Sequence, residues 1–78
     1  MCRVRVQVQE AIMPKERLAI LNTQNGREEV VVSERSLDGD KLKAKYISEN
    51  SGYVLIELPR ETSSGAWRVN VLKAHVLE

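Results

Sequence analysis

The sequence is poor in the residues that build catalytic and metal centres. Its 78 residues include one cysteine, one histidine and no phenylalanine. A single thiol can form neither an intrachain disulfide nor a zinc site of several thiolates, and we expect no metal ion or other cofactor. Cys2 lies beside the chain terminus and His75 has no second histidine or thiol near it in sequence, so we expect neither to be catalytic. The composition predicts a protein that is not an enzyme.

Long apolar runs and a dominant charge are also missing. The longest apolar stretches are far shorter than a membrane span. The N-terminus alternates charged residues with valine, which is unlike a signal peptide. Lysine plus arginine (12) nearly balances aspartate plus glutamate (11), so the net charge of +1 gives no general attraction to nucleic acids or membranes. We expect a cytoplasmic protein with no membrane contact and no small-molecule ligand.

Alternating side chains predict strands over most of the chain. Residues 3–9, 41–47 and 66–71 alternate apolar and polar side chains with the period of a half-buried strand. Residues 53–58 are apolar at almost every position, which is typical of a central strand. The apolar side chains of these strands, together with those of the N-terminal hairpin described below, are predicted to face one core. The predicted core residues are Val4, Val6, Val8, Ala19, Leu21, Val30, Val32, Leu42, Ala44, Tyr46, Val54, Ile56, Leu58, Trp67, Val69 and Val71.

Burial of that face selects one register for each of the two later hairpins, because a slip by one residue would place lysines in the core. In the first hairpin, Tyr46 is predicted opposite Val54, with a loop of odd length over residues 48–52. In the second, Val54 is predicted opposite Val71. The sequence therefore predicts three adjacent antiparallel strands.

The N-terminal half holds a second predicted hairpin. Asn25-Gly26 is a strong signal for a type I′ turn and would set Leu21 opposite Val30. Residues 15–22 remain open between strand and helix; we favour strand, because a segment this short is rarely helical without tertiary support.

Loops and the C-terminus complete a single predicted domain over residues 1–78. Residues 33–40 are a polar connection anchored by Leu37, and residues 59–65 form a loop that we expect to be mobile. Residues 72–78 can form a 3₁₀ turn and a closing strand. Five to six short strands with turns between them predict an all-β protein, either a closed small barrel or a strongly bent antiparallel sheet.

Two segments resemble an SH3-like barrel. Residues 71–78 are similar to the end of that barrel, where a strand passes through one 3₁₀ turn into a short last strand, and residues 38–42 resemble the Gly-Asp strand entry of KOW-type barrels. The resemblance implies the small-barrel fold. It does not imply binding of proline-rich peptides, which needs an aromatic groove, because Tyr46 and Trp67 are predicted in the core.

The outward face of the three later strands is the candidate interaction surface. The predicted registers place Glu57 between Lys43 and Arg68 as a charge ladder. Tyr53 and Leu55 lie on the same face, and an apolar pair there indicates contact with a second copy, with another protein or with the loop over residues 33–40, of which the loop is the simplest explanation. The candidate residues are Lys41, Lys43, Lys45, Tyr53, Leu55 and Arg68.

Two functions remain as hypotheses. The favoured one is a module that binds another protein or itself through the apolar pair Tyr53 and Leu55. The alternative is weak binding of nucleic acid through Lys41, Lys43, Lys45 and Arg68, in which cations and a stacking aromatic residue share one face. Glu57 in the middle of those cations argues against this alternative.

Overall fold

The computed structural model describes residues 1–77, and this part of the chain is an all-β protein whose antiparallel strands curl into a half-barrel. Residues 1–77 contain nine strands and not five or six, because the predicted first strand is divided and short strands are added. The same residues contain two 3₁₀ turns, at Glu34–Ser36 and Lys73–His75. The strands are β1 (Cys2–Arg5), β2 (Gln7–Glu10), β3 (Glu16–Thr23), β4 (Gly26–Ser33), β5 (Leu37–Asp38), β6 (Lys41–Asn50), β7 (Tyr53–Glu57), β8 (Arg68–Leu72) and β9 (Val76–Leu77).

The strand order explains how the sheet curls. Hydrogen-bonded neighbours follow the order β2-β3-β8-β7-β6-β1-β9, with β4 added to β3 and β5 added to β6. Strand β7 lies between β6 and β8, which confirms its predicted central position. The 3₁₀ turn and the short strand β9 confirm the predicted C-terminal arrangement, apart from residue 78, which lies outside the described residues.

The predicted first strand, residues 3–9, is two strands that bend at Val6. Strand β1 pairs with β6 and β9, whereas β2 pairs with β3. At the bend, the amide of Val6 donates a hydrogen bond to the carbonyl of Asp40 at 2.9 Å. The alternation of valines continues through the bend, since Val4 and Val6 are buried and Val8 packs against the core. This one segment therefore supplies a strand to each of two parts of the sheet.

The ambiguous segment, residues 15–22, lies almost wholly in strand β3, which confirms the strand interpretation. Its register with β4 differs from the prediction, because Val30 faces Ala19 and not Leu21. The inward faces are unchanged, since a shift of two residues keeps every side chain on its side of the sheet.

The β3–β4 hairpin turns one residue earlier than predicted. Thr23 pairs with Gly26, so Gln24 and Asn25 are the central residues of the turn. Of these four residues, Gly26 alone has a positive φ, at 114°. A type I′ turn requires positive φ at both central residues, so the predicted turn type is wrong.

The register of the β6–β7 hairpin is also corrected. Tyr46 faces Ile56 and not Val54, and the pairing shifts between Tyr46 and Ser48. The shift leaves Ile47 as an extra residue in β6, the arrangement of a β-bulge. A bulge cannot be read from a pattern in which neighbouring residues, here Tyr46 and Ile47, are both apolar.

The bulge allows a tight turn where a loop over residues 48–52 was predicted. Ser51 and Gly52 have φ values of 54° and 82°, and Asn50 pairs with Tyr53. Positive φ at both central residues is the geometry of a type I′ turn, which matches the twist of the two strands.

The β7–β8 register is as predicted, with Val54 opposite Val71. Trp67, however, is not in the core: 51% of its surface is exposed. The backbone bends at Trp67, one residue before β8 begins, so the alternation of β8 does not include it. The half-buried Ala66 packs against the core at this end of the sheet.

The loop over residues 59–66 is fixed along the outer edge of β4. The Ser63 amide donates a hydrogen bond to the Glu29 carbonyl at 2.8 Å, and the Ser64 hydroxyl donates to Glu28 Oε1 at 2.7 Å. Inside the loop, the buried Thr62 hydroxyl accepts the Ala66 amide at 3.0 Å. These bonds cover part of a strand edge that would otherwise be open.

The core follows the inward faces of the strands. Thirteen of the predicted core residues are buried, Val8 and Tyr46 pack against the core, and Leu37 does so as expected. Cys2 joins the core at 2% exposure, because it lies in β1 opposite Ala44 and not at a loose terminus. The buried cluster is Cys2, Val4, Val6, Ala19, Leu21, Val30, Val32, Leu42, Ala44, Val54, Ile56, Leu58, Val69 and Val71.

Candidate functional site

The pairing of β1 with β6 brings two arginines to the candidate lysines. Arg3 lies opposite Lys43, and Arg5 lies opposite Lys41. Residues directly opposite in an antiparallel pair point to the same face. Because Cys2 and Val4 point into the core, these four cations point outward.

Lys45 and Arg68 extend this cluster across β7. Lys45 pairs with Glu57, and Glu57 pairs with Arg68, whose Nε lies 3.1 Å from Glu57 Oε1. The predicted ladder is therefore confirmed for Arg68 and wrong for Lys43, whose place is taken by Lys45 because of the bulge. We call the following set the basic face: Arg3, Arg5, Lys41, Lys43, Lys45 and Arg68.

Strand geometry determines the spacing of these charges. Lysines at every second position of β6 lie about 6.6–6.8 Å apart along the strand, and a directly opposite residue on β1 lies about 5 Å away. The result is a two-strand grid of cations, continued by Arg68 on β8.

Three carboxylates partly neutralise the basic face. Asp38 lies 2.9 Å from Arg3, Asp40 lies 3.1 Å from Lys41, and Glu57 contacts Arg68. The hydrogen bond and the charge of Lys41 hold the pKa of Asp40 below its ordinary value. With six cations and three carboxylates, the face carries a formal charge of +3, whereas the whole chain carries +1.

Two lysines of the basic face have no carboxylate partner. Within residues 1–77, neither Lys43 nor Lys45 forms an ion pair, although Lys43 Nζ donates a hydrogen bond to the Arg35 carbonyl at 3.2 Å. Both side chains are exposed. Their charges are available to a bound anion.

Tyr53 is separated from the basic face, whereas Leu55 lies closer to it. Both lie on the outward face of β7, but Tyr53 pairs with Asn50 and Leu72, four residues along the strand from Glu57. That is about 13 Å at the rise of a strand. Both side chains are half-buried. The structure therefore joins Lys41, Lys43, Lys45 and Arg68 and leaves Tyr53 at the other end of β7, with Leu55 two residues from Glu57.

Trp67 is an exposed aromatic residue just before β8. It precedes Arg68, and its carbonyl accepts a hydrogen bond from the Leu58 amide at 2.8 Å, which fixes its backbone. Its half-exposed ring is open to a ligand. The alternation of residues 66–71 predicts Trp67 in the core, so Trp67 is not among the candidate residues predicted from the sequence.

Arg3 and Arg5 are the residues that sequence reasoning missed. Their alternation with valine is visible and places them on an outward face. The sequence does not show which strand pairs with β1. In the structure that strand is β6, more than 35 residues away in sequence. No local turn connects these two strands, so no short-range signal shows which cations meet.

Other chemistry is not assembled in the described part of the chain. No group of three His, Cys, Asp or Glu side chains among residues 1–77 could hold a metal ion. His75 is half-buried in the 3₁₀ turn before β9. Neither of the short 3₁₀ turns in this range has the length and apolar character needed to cross a membrane.

Comparison with known proteins identifies no relative: no protein-family model, no curated protein and no solved structure matches this chain. The basic face is therefore interpreted from its own geometry.

Proposed function

We propose that this protein binds single-stranded nucleic acid through the basic face. The observation that carries the proposal is that two pairs of like charges face each other across β1 and β6, Arg3 opposite Lys43 and Arg5 opposite Lys41. Like charges directly opposite each other destabilise a sheet, by up to about 1 kcal/mol for a pair. A bound phosphate chain would remove this repulsion, since each anion can lie between two cations.

The three carboxylates of the face do not prevent binding. The ion pairs of Arg3 with Asp38 and of Lys41 with Asp40 are at the surface, with about a third or more of each side chain exposed. Exposed pairs contribute about 0–1 kcal/mol each, so a phosphate can compete for these cations. Arg5, Lys43 and Lys45 give the first contacts, because none of the three forms an ion pair within the described residues, although Lys45 lies opposite Glu57.

Trp67 supports a single-stranded ligand. Unpaired bases stack on aromatic rings, and each such contact contributes about 1–3 kcal/mol. In a duplex the bases already stack on one another and cannot stack on a side chain. A half-exposed tryptophan that precedes Arg68 in sequence therefore favours a single-stranded ligand. The same combination of cations and an aromatic ring is typical of proteins that bind without sequence preference.

The favoured hypothesis from the sequence, a protein contact at Tyr53 and Leu55, has less support. Both side chains are half-buried, and Leu72 is the exposed apolar residue beside them, at 42%. We further propose that the half-barrel is an SH3-like barrel, on the support of the 3₁₀ turn between β8 and β9, and that the protein acts in the cytoplasm.

Fluorescence anisotropy with labelled oligo-dT tests the proposal. We expect wild-type protein to bind at low salt and to lose affinity steeply as salt rises, because binding releases counterions from the phosphates. The variant with Lys43→Gln and Lys45→Gln should bind more weakly. Its slope of log affinity against log salt should be smaller by about 1.4, since each lost phosphate contact on a single strand removes about 0.7.

The matched control carries Arg27→Gln and Lys73→Gln. It loses the same charge, but both side chains lie outside the basic face and are paired with Glu29 and Glu49. We expect it to keep the wild-type slope. Absence of binding at low salt, or an equal loss in both double variants, would contradict a localised site.

A further inference from the structure

The tight turn between β5 and β6 carries two carboxylates at one end of the basic face. Asp38 ends β5 and pairs with Lys41, the first residue of β6, so Gly39 and Asp40 are the central residues of the turn. Gly39 has a φ of 64°, a conformation that glycine adopts without strain. We call Asp38, Gly39 and Asp40 the acidic turn.

The ion pair between Arg3 and Asp38 crosses strand β6. Arg3 lies on β1, opposite Lys43, whereas Asp38 lies on β5, which pairs with the other edge of β6. The backbones of β1 and β5 are therefore two strand spacings apart, or about 9–10 Å. Arg3 Nη1 nevertheless lies 2.9 Å from Asp38 Oδ2. The guanidinium of Arg3 is thus held over β6, on the face where we expect the ligand.

Asp40 contacts a second cation at the same end. Its Oδ1 lies 3.1 Å from Lys41 Nζ. The hydrogen bond and the charge of Lys41, and to a smaller extent the charge of Arg5, lower the pKa of Asp40, so its carboxylate stays ionised at neutral pH. Within residues 1–77, Lys43 and Lys45 form no such ion pair. The acidic turn therefore neutralises one end of the basic face and leaves these two lysines open.

We infer that Asp38 and Asp40 are intramolecular competitors of the nucleic acid: in the unbound protein they take the places on Arg3 and Lys41 that two phosphates take in the complex. The inference rests on the proposed function, because it concerns the regulation of the same site. Carboxylate and phosphate oxygens accept hydrogen bonds from the same donors of arginine and lysine. The exchange therefore replaces each ion pair with another of the same kind.

Competitors of this kind favour a chain of phosphates over a single phosphate. A free phosphate group must displace a carboxylate that belongs to the same protein chain and is therefore present at a high effective concentration. A phosphate of an oligonucleotide that is already bound at Lys43 and Lys45 is tethered in the same way and competes on equal terms. This end of the basic face thus accepts linked phosphates and discriminates against a mononucleotide.

Fluorescence anisotropy with labelled oligo-dT at several salt concentrations tests the competition. The variant with Asp38→Asn and Asp40→Asn should bind more tightly than the wild type, by up to about fivefold for each ion pair removed. Its slope of log affinity against log salt should be steeper by up to about 1.4, because Arg3 and Lys41 then bind two phosphates without releasing a carboxylate. Asparagine suits a tight turn as well as aspartate does, so the variant should fold like the wild type.

The matched control carries Glu16→Gln and Glu29→Gln. It also removes two ion-paired carboxylates, but they lie in the β3–β4 hairpin, where they contact Arg60 at 3.0 Å and Arg27 at 4.0 Å. We expect the control to keep the affinity and the salt slope of the wild type. An equal gain in both double variants would show a general effect of net charge and would overturn the inference.

The NMR signal of the Arg3 Nε–H group reports the exchange directly. In the wild type, oligo-dT should shift this signal, whereas thymidine monophosphate at the same concentration of phosphate groups should leave it unchanged. In the Asp38→Asn, Asp40→Asn variant, both ligands should shift it. A mononucleotide that shifts the wild-type signal as much as oligo-dT does would overturn the preference for linked phosphates.

The competition and the proposed function fail in different ways. If the wild type binds oligo-dT and the Asp38→Asn, Asp40→Asn variant binds no more tightly, the two carboxylates are not competitors, although the proposed function stands. If neither protein binds oligo-dT at low salt, the proposed function is refuted and this inference with it.

Discussion

Thr62→Val is the substitution that most directly tests how the loop over residues 59–66 is held. Thr62 is the buried polar residue of the described chain, at 4% exposure. Its hydroxyl accepts the Ala66 amide at 3.0 Å and lies 3.1 Å from the Ser64 hydroxyl. Valine has nearly the same shape but no hydroxyl, so the change removes hydrogen bonds without opening a cavity.

The expected cost follows from the groups that lose a partner. The Ala66 amide would be left without its acceptor, which costs about 1–3 kcal/mol in a site removed from water. Ser64 adds little, because its hydroxyl still donates to Glu28 Oε1. We therefore expect Thr62→Val to lower the free energy of unfolding by about 1–3 kcal/mol, and the melting temperature by about 4–8 °C for each kcal/mol in a domain of this size.

Urea denaturation followed by tryptophan fluorescence and circular dichroism measures this loss. Thr62→Ser is the matched control, because it keeps the hydroxyl and removes one methyl group, at a cost of about 0.8 kcal/mol. Thr62→Val should be the less stable of the two. If Thr62→Val is as stable as the wild type, the hydroxyl does not hold the loop and the reasoning is refuted.

The remaining predictions concern Trp67 and the response to acid. Trp67→Ala should lower the free energy of unfolding by less than the about 3–5 kcal/mol typical of a buried tryptophan, because half of the Trp67 surface is exposed. The same variant should bind oligo-dT more weakly when binding is measured by anisotropy. A loss of stability of about 3–5 kcal/mol would mean that the ring is buried. Hydrogen bonds from Lys73 and Tyr46 lower the pKa of Glu49, so its contribution to stability is present above its unfolded pKa and is lost as pH falls through the lower folded pKa. Thermal denaturation across this range should show a smaller acid-induced loss for Glu49→Gln than for the wild type, and equal losses would contradict the assignment.

Apolar alternation in the sequence predicts which side chains of most strands face the core, and it predicts the register of one hairpin. The β7–β8 register is correct because Val54 and Val71 lie in strands without a bulge. The β6–β7 register is wrong because Ile47 is an extra residue and because Ser51, an unusual residue at positive φ, forms the turn. Both features depend on the fit between two strands, which a single-strand pattern does not contain.

The candidate site was predicted in part for a related reason. Alternation on β6 identifies Lys41, Lys43 and Lys45 as a row, and that row is present. The arginines that complete it are on β1, and only the long-range pairing of β1 with β6 shows that Arg3 and Arg5 stand beside the lysines. Local patterns assign faces, whereas the contact between distant strands assembles the charge cluster.

Chemical-shift mapping by NMR during titration with oligo-dT at low salt shows directly which residues contact the nucleic acid. We expect perturbed amides along β1 and the first half of β6, together with Arg68 and the Trp67 indole, and little change in the β3–β4 hairpin. Shifts confined to other strands, or no shifts at saturating oligonucleotide, would contradict binding of nucleic acid through the basic face.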